Sequence, residues 1–95
     1  MATKKDTYKI AVTTDTGFKC DVNRDALNDV ELLDDIIDMN NGELISVHRI
    51  IDKVIGKEQR AALYDHVRDE KGVVKLDAIS AELTNIFDAV QNLKN

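Results

Sequence analysis

In 95 residues the sequence has no proline, no tryptophan, a single cysteine and four glycines. One cysteine cannot form an intramolecular disulfide, which excludes a disulfide-stapled scaffold. No apolar run approaches the roughly 20 residues that span a bilayer, and the first residues lack the apolar stretch of a secretory signal. We therefore expect a protein of a reducing cytoplasm, with no membrane among its partners.

Positive charge is also in short supply. The chain carries 13 basic and 18 acidic residues, a net charge of -5, and the acidic residues concentrate between residues 21 and 43. Such a chain repels phosphate backbones and anionic lipids, so nucleic acid is a disfavoured partner. With 43% hydrophobic residues, the composition is that of a folded domain rather than a disordered chain.

The length fits one domain, residues 1–95, and the pattern predicts an α+β fold that is mainly α. We expect a flexible amino terminus at residues 1–7, a β-hairpin at residues 8–22 and about four helices within residues 24–94. In the hairpin, apolar and polar side chains alternate from Tyr8 and again after Gly17. An isolated hairpin is marginal in water, so its apolar face should pack on helices or pair with the strand edge of another chain. That face is predicted to be Ile10, Val12, Phe18 and Val22.

Four helical segments are predicted where apolar side chains recur every three or four residues. They are residues 26–39, preceded by Asn23 as a cap, residues 43–55, residues 57–70, and a last helix capped by Asp77. The inward side chains of the two middle segments are predicted to be Leu44, Val47, Ile50, Ile51, Val54, Ile55, Leu63, Tyr64 and Val67. The last helix has the clearest stripe, formed by Ile79, Leu83, Ile86, Val90 and Leu93 and widened by Phe87.

The segment 26–39 is apolar over about half of its circumference, which is more than one core contact needs. We predict that its core face is Leu27, Val30, Leu33 and Ile37, and that Glu31, Asp34, Asp35 and Asp38 occupy the opposite sector. The remaining apolar residues are then free to form a groove for a partner's helix, with methionine giving adaptable packing. Equally, they could complete a homodimer interface or a thick monomer core. These candidate partner-binding residues are Leu32, Ile36 and Met39.

The sequence contains no complete catalytic or metal-binding pattern. Asp21, Asn23 and Asp25 imitate the start of a calcium loop, but Ala26 and Leu32 occupy positions that require a bend and a bidentate carboxylate. A helix start is the better interpretation.

The other reactive side chains are isolated in the sequence. Cys20, His48 and His66 lack the short spacings of zinc ligands, and neither Ser46 nor Ser80 lies in a nucleophile elbow. Cys20 is expected to be a small buried side chain and the two histidines to be structural. We predict no catalytic residue, no cofactor and no metal, and hence no enzyme.

Two other functions stay open. Arg49, Lys53, Lys57 and Arg60 flank Gly56, and a helix-turn-helix DNA-binding regulator would carry basic residues in such a place. These bases could instead pair with the acidic helix of the same or a neighbouring subunit. A small helical adaptor or scaffold protein is the other alternative.

Four segments follow one another in a characteristic order: residues 18–22 (FKCDV), 25–33 (DALNDVELL), 56–59 (GKEQ) and 63–74 (LYDHVRDEKGVV). This order resembles the small tail assembly chaperones of long-tailed, siphovirus-type phages and their prophages, and the resemblance covers residues 18 to about 90. It implies a non-enzymatic homo-oligomer of the host bacterial cytoplasm that is absent from the mature virion. Its implied partners are the tape measure protein, which it binds, and the tail tube protein, whose subunits it helps to recruit.

Overall fold

The computed structural model describes the backbone of residues 9–94 and the side chains of residues 9–92. The predicted α+β class, mainly helical and with a hairpin first, is confirmed. Tyr8, the predicted flexible segment 1–7 and the side chain of Leu93 lie outside the described residues. The elements are β1 (Lys9–Thr13), β2 (Lys19–Asn23), a 3-10 helix (Arg24–Asn28), α1 (Val30–Asn40), α2 (Ile45–Val67) and α3 (Leu76–Lys94).

The hairpin pairs β1 with β2 antiparallel, with Ile10 opposite Val22 and Val12 opposite Cys20. Its turn is closed by a hydrogen bond from the Thr14 N–H to the Phe18 carbonyl, and Gly17 adopts φ +92°, a region that favours glycine. The predicted apolar face does turn towards the helices. Val12, Phe18 and Val22 are buried, while Ile10 is half-buried.

Residues 9–94 form three α-helices, where the sequence predicted about four. The segments expected on either side of Gly56 form one element, α2, in which Gly56 has non-helical torsions of φ 83° and ψ 166°. At this kink the chain folds back. The contacts across the kink show this, since Arg60 Nη1 lies 2.7 Å from both Asp52 Oδ1 and His48 Nε2. In a straight helix, residues 48 and 60 would be about 18 Å apart along the axis.

Two helix starts differ from the prediction. Asn23 does act as a cap, but of the 3-10 helix, where its side chain accepts from the Asp25 N–H. Asp29 then caps α1 by accepting from the Glu31 N–H, so the helix predicted from residue 26 begins four residues later. At the other end of the chain, α3 begins at Leu76, which places Asp77 in its first turn rather than at its cap.

One hydrophobic core joins the hairpin to all three helices. Its centre is the first half of α2, where Ile50, Ile51 and Val54 are fully buried. The predicted inward residues of α3 that the structure describes, Ile79, Leu83, Ile86 and Val90, are buried. Leu44 was predicted to face inward but is exposed, because it stands at the cap position before α2 and not on the buried side of that helix. Within residues 9–94, none of the helices is long and apolar enough to cross a membrane.

A buried carboxylate holds the hairpin turn on α3. Glu82 accepts hydrogen bonds from the hydroxyls of Thr14 (2.9 Å) and Thr16 (2.8 Å). Thr16 Oγ1 also lies 2.9 Å from His66 Nε2. Because the single Thr16 proton is donated to Glu82, His66 Nε2 must be the donor in that second bond. Each of these four side chains therefore has a hydrogen-bond partner, and the bonds hold the hairpin turn against both α2 and α3.

Candidate functional site

The buried side of α1 carries the residues predicted to bind a partner. Leu32 is only 4% exposed and belongs to the core, and Ile36 and Met39 are half-buried against it. In a single chain Leu32 is therefore a core residue and not a free surface. Of the alternatives offered for these three residues, a place in the core of the single chain describes Leu32, while Ile36 and Met39 lie partly exposed beside it.

Two of the three predicted residues nevertheless line a surface groove. Leu32 and Ile36 form one wall and Phe87 and Val90 of α3 form the other, around a volume of about 420 Å³. Met39 is not among the lining residues. The groove exists because α1 and α3 both pack on other elements and make few contacts with each other.

Asp35 links the packed side of α1 to α2. Its carboxylate accepts hydrogen bonds from Arg49 Nε at 3.0 Å and from Lys53 Nζ at 2.9 Å, and it is almost fully buried. Burial alone would raise the Asp35 pKa, but the hydrogen bonds and positive charges of Lys53 and Arg49 outweigh it and the pKa is lowered. The same contact raises the pKa of Lys53.

The outward side of α1 is apolar. Val30 is 70% exposed, Leu33 55% and Ile37 48%, although the sequence analysis assigned all three to the core. They are spaced three and four residues apart and so form one continuous line on the helix. We call Val30, Leu33 and Ile37 the α1 stripe.

Acidic residues border the α1 stripe on one side only. With successive residues about 100° apart, Asp34, Asp38 and Glu31 follow Val30 around the helix, while Leu33 leads back towards Ile36. Glu31 and Asp34 are exposed and Asp38 is half-buried. α1 contains no basic residue. The result is an exposed apolar line with a negative border.

A second exposed apolar region lies where α2 and α3 begin. Leu44, Ile45, Val73 and Leu76 are all exposed there. An open groove of about 270 Å³ runs beside them, and its lining residues are Leu44, Val47, His48, Tyr64, Val74, Leu76 and Ile79.

The basic residues near Gly56 are largely paired within the chain. Arg49 and Lys53 bind Asp35, and Arg60 binds Asp52 at 2.7 Å. Lys57 is exposed. Of the two interpretations offered for these bases, the structure supports pairing within the subunit, with the acidic helix α1 for Arg49 and Lys53 and within α2 for Arg60. This pairing reduces the positive surface that DNA would need.

Cys20 and His48, two of the candidate reactive side chains, have different surroundings. Cys20 is buried, and burial, with smaller effects from the Asp21 and Glu82 charges, raises its pKa to about 11, so the thiol is unreactive at neutral pH. His48 is exposed and lies 3.3 Å from Asp52. Within residues 9–92, no three side chains of histidine, cysteine, aspartate or glutamate are grouped so that they could hold a metal ion.

Comparison of this chain with protein-family models, with curated proteins and with solved structures found no match. Function is therefore inferred from the sequence and from the geometry of the described residues. The best candidate site is α1. This helix has apolar residues on two sides, and only one of the two sides packs in the core.

Sequence reasoning recognised the surplus of apolar surface on α1 but assigned it to the wrong side. The signal that could have corrected it is the spacing of Arg49 and Lys53, four residues apart on one side of α2. Two such bases beside the buried face of a helix favour an acidic partner on the helix that packs there. On α1 that partner is Asp35, which is the acidic residue next to Leu32 and Met39 around the helix.

Proposed function

We propose that this protein is a phage tail assembly chaperone that binds helical segments of the tape measure protein and has no catalytic activity. The observation that carries the proposal is the α1 stripe, three large apolar side chains left exposed on a helix whose other side is already packed. The segment order that resembles this chaperone family supplies the identity of the client. A host cytoplasmic location, a homo-oligomeric state, transient contact with the tail tube protein and absence from the mature virion belong to the same proposal.

The stripe suits an amphipathic helix as client. Residues spaced three and four apart present a straight apolar line, and such a line packs against the apolar line of another helix. The acidic border at Glu31, Asp34 and Asp38 favours a client helix with lysine or arginine beside its apolar residues, because charge complementarity sets orientation and selects partners. A long tape measure protein could offer many such helices, and several weak contacts would together give firm binding.

The groove lined by Leu32 and Ile36 is a second contact surface for the same client. It adjoins the Leu33 side of the stripe around the helix, so a helix bound to the stripe could also reach Ile36. Met39 is half-buried on the far side of Leu32 and is expected to contribute by supporting Ile36 and Leu32. The stripe remains the main contact in this proposal because its side chains are the more exposed.

The proposal expects a tape measure protein to be encoded beside this chain, and the test is co-expression with that protein, followed by affinity purification. Leu33→Asp combined with Ile37→Asp should reduce co-purification at least about tenfold, since two charges would enter the apolar contact. Helical circular dichroism and the melting temperature should stay near those of the parent. Thr84→Asp combined with Asn92→Asp adds the same charge at exposed positions of α3 and should leave co-purification unchanged.

Each outcome bears on a different part of the proposal. A folded Leu33→Asp, Ile37→Asp variant that still binds would remove the stripe as the contact, and Ile36→Asp would then test the groove. Failure of the unaltered protein to bind its neighbouring tape measure protein would overturn the chaperone function itself. Salt-dependent retardation of duplex DNA would support the helix-turn-helix alternative, which the paired state of Arg49, Lys53 and Arg60 disfavours.

A further inference from the structure

The two outer edges of the hairpin differ in the hydrogen bonds that their backbone groups make with the rest of the chain. On the outer edge of β2, the Asp21 N–H donates to Gln59 Oε1 at 2.8 Å, and the Asp21 carbonyl accepts from Gln59 Nε2 at 2.7 Å. Gln59 Nε2 is itself held by the Ile55 carbonyl at 2.8 Å. The side-chain amide of Gln59 thus takes the place that the backbone of a third strand would occupy.

None of residues 9–94 covers the outer edge of β1 in this way. Because Asp21 directs its backbone groups away from β1, the pair Ala11–Asp21 is a non-hydrogen-bonded pair of the ladder, and Ala11 directs its own N–H and carbonyl away from β2. The same alternation applies to Lys9 and Thr13. All three residues are exposed, and among the described residues nothing bonds to these outward backbone groups.

We propose that β1 pairs antiparallel with β1 of a second copy of this chain, about a two-fold axis at Ala11, so that two hairpins form one four-stranded sheet. Ala11 would lie opposite Ala11 of the second copy, and Lys9 opposite Thr13 of the second copy. Each of these pairs would exchange both of its backbone hydrogen bonds. The interface is isologous, as expected for a homodimer.

The side chains of β1 favour a second copy over an unrelated strand. The register sets each Lys9 opposite a neutral Thr13, so no like charges meet across the new ladder. The small Ala11 at the centre permits close approach of the two chains. On the side facing the helices, Ile10 would lie opposite Val12 of the second copy, and Ile10 is the half-buried member of a face on which Val12, Cys20 and Val22 are already buried.

Unprotected edge strands promote uncontrolled association, and proteins usually block them. Here Gln59 blocks β2 while the self-complementary β1 edge is left free. This asymmetry allows a closed dimer and prevents the sheet from growing further. The inference gives a geometry to the self-association within the proposed function, but it does not depend on the tape measure protein.

Ala11→Pro tests the inference directly. Proline removes the outward N–H of residue 11, which the β1–β2 ladder does not use, and proline is tolerated on edge strands at such positions. In sedimentation velocity over a range of concentrations, we expect the unaltered chain to dimerise and Ala11→Pro to raise the dimer dissociation constant at least about tenfold. Circular dichroism should show that the variant remains folded.

Two charge variants test the register at an exposed position. Thr13→Lys would set lysine opposite Lys9 twice and weaken the dimer, whereas Thr13→Glu would set glutamate opposite Lys9 and strengthen it, each by about two- to tenfold. A monomeric unaltered chain, or a dimer indifferent to Ala11→Pro and to both charge variants, would overturn the inference. The Leu33→Asp, Ile37→Asp variant should remain dimeric, which separates this interface from client binding.

Discussion

Leu32 and Leu33 are neighbours in the sequence, yet Leu32 is 4% exposed and Leu33 is 55% exposed. They belong to the two sides of α1, one packed in the core and one facing solvent. The packed side includes a charged residue, Asp35, while the solvent side carries the three apolar residues of the α1 stripe. Hydrophobicity alone therefore does not decide which side of this helix is buried, and the ion pairs of Asp35 with Arg49 and Lys53 take part in that choice.

The largest expected difference between the two sides comes from truncating the two leucines. Leu32→Ala removes buried side-chain atoms from the core and should lower the free energy of unfolding by about 2–4 kcal/mol. Leu33→Ala should change it by less than about 0.5 kcal/mol, as surface substitutions usually do. Urea denaturation of both variants measures this. Equal losses would show that Leu33 is buried in solution, for example by self-association.

The second comparison uses the neighbouring acids Asp34 and Asp35. Asp35→Asn leaves Arg49 and Lys53 without their anionic partner and should lower the free energy of unfolding by about 1–3 kcal/mol. Asp34→Asn, at an exposed position, should have an effect near zero. If both variants unfold at the same urea concentration as the parent, the ion pairs do not hold α1 in place.

Lowering the pH should reduce the stabilisation that ionised Asp35 contributes on the packed side of α1. The pKa of Asp35 is lowered in the folded protein, so the unfolded chain binds the proton more readily, and the stabilisation is present above the unfolded pKa of about 3.9. It is lost as the pH falls from there through the lowered folded pKa. In urea titrations at decreasing pH, the difference between the parent and Asp35→Asn should shrink over this window.

A residual loss of stability in acid is expected even in Asp35→Asn. The pKa of Asp69 is also lowered, by hydrogen bonds from the backbone N–H groups of Val73 and Lys71 and by the Lys75 charge, and burial only partly opposes this. An unchanged difference between parent and Asp35→Asn down to the lowest pH would contradict the assignment of the effect to Asp35.

The smallest effect on stability is expected from changing the solvent side. Leu33→Ser combined with Ile37→Ser should leave the free energy of unfolding within about 1 kcal/mol of the parent, while retention on a hydrophobic interaction column should fall because exposed apolar area is lost. Thr84→Ser on α3 is the matched control for retention. A large loss of stability would place the α1 stripe inside a packed interface.

Several features were predictable from local patterns. Alternation in residues 8–22 predicted the hairpin, and the recurrence of Ile79, Leu83, Ile86 and Val90 predicted the buried side of α3. These two predictions are confirmed because a strand or helix with one apolar side can bury only that side. The burial of Cys20 followed from the same alternation.

Other features depend on contacts between distant residues, which no local pattern contains. Gly56 marked a break in the helical pattern, but whether the two halves separate or fold back depends on groups such as Arg60 and Asp52. Gln59 reads as an ordinary polar helical residue, and its role at the β2 edge follows only from its position beside Asp21, 38 residues away.

What the amino-acid sequence determined by itself is the hairpin, the buried side of α3 and the presence of more apolar surface on α1 than one contact can bury. What only the tertiary structure decided is which half of that surface is covered. Helical periodicity states which residues share a side, because it depends on a fixed rotation per residue. The rotation of the whole helix about its axis depends instead on its neighbours, and for α1 these are the core around Leu32 and the two cations that bind Asp35.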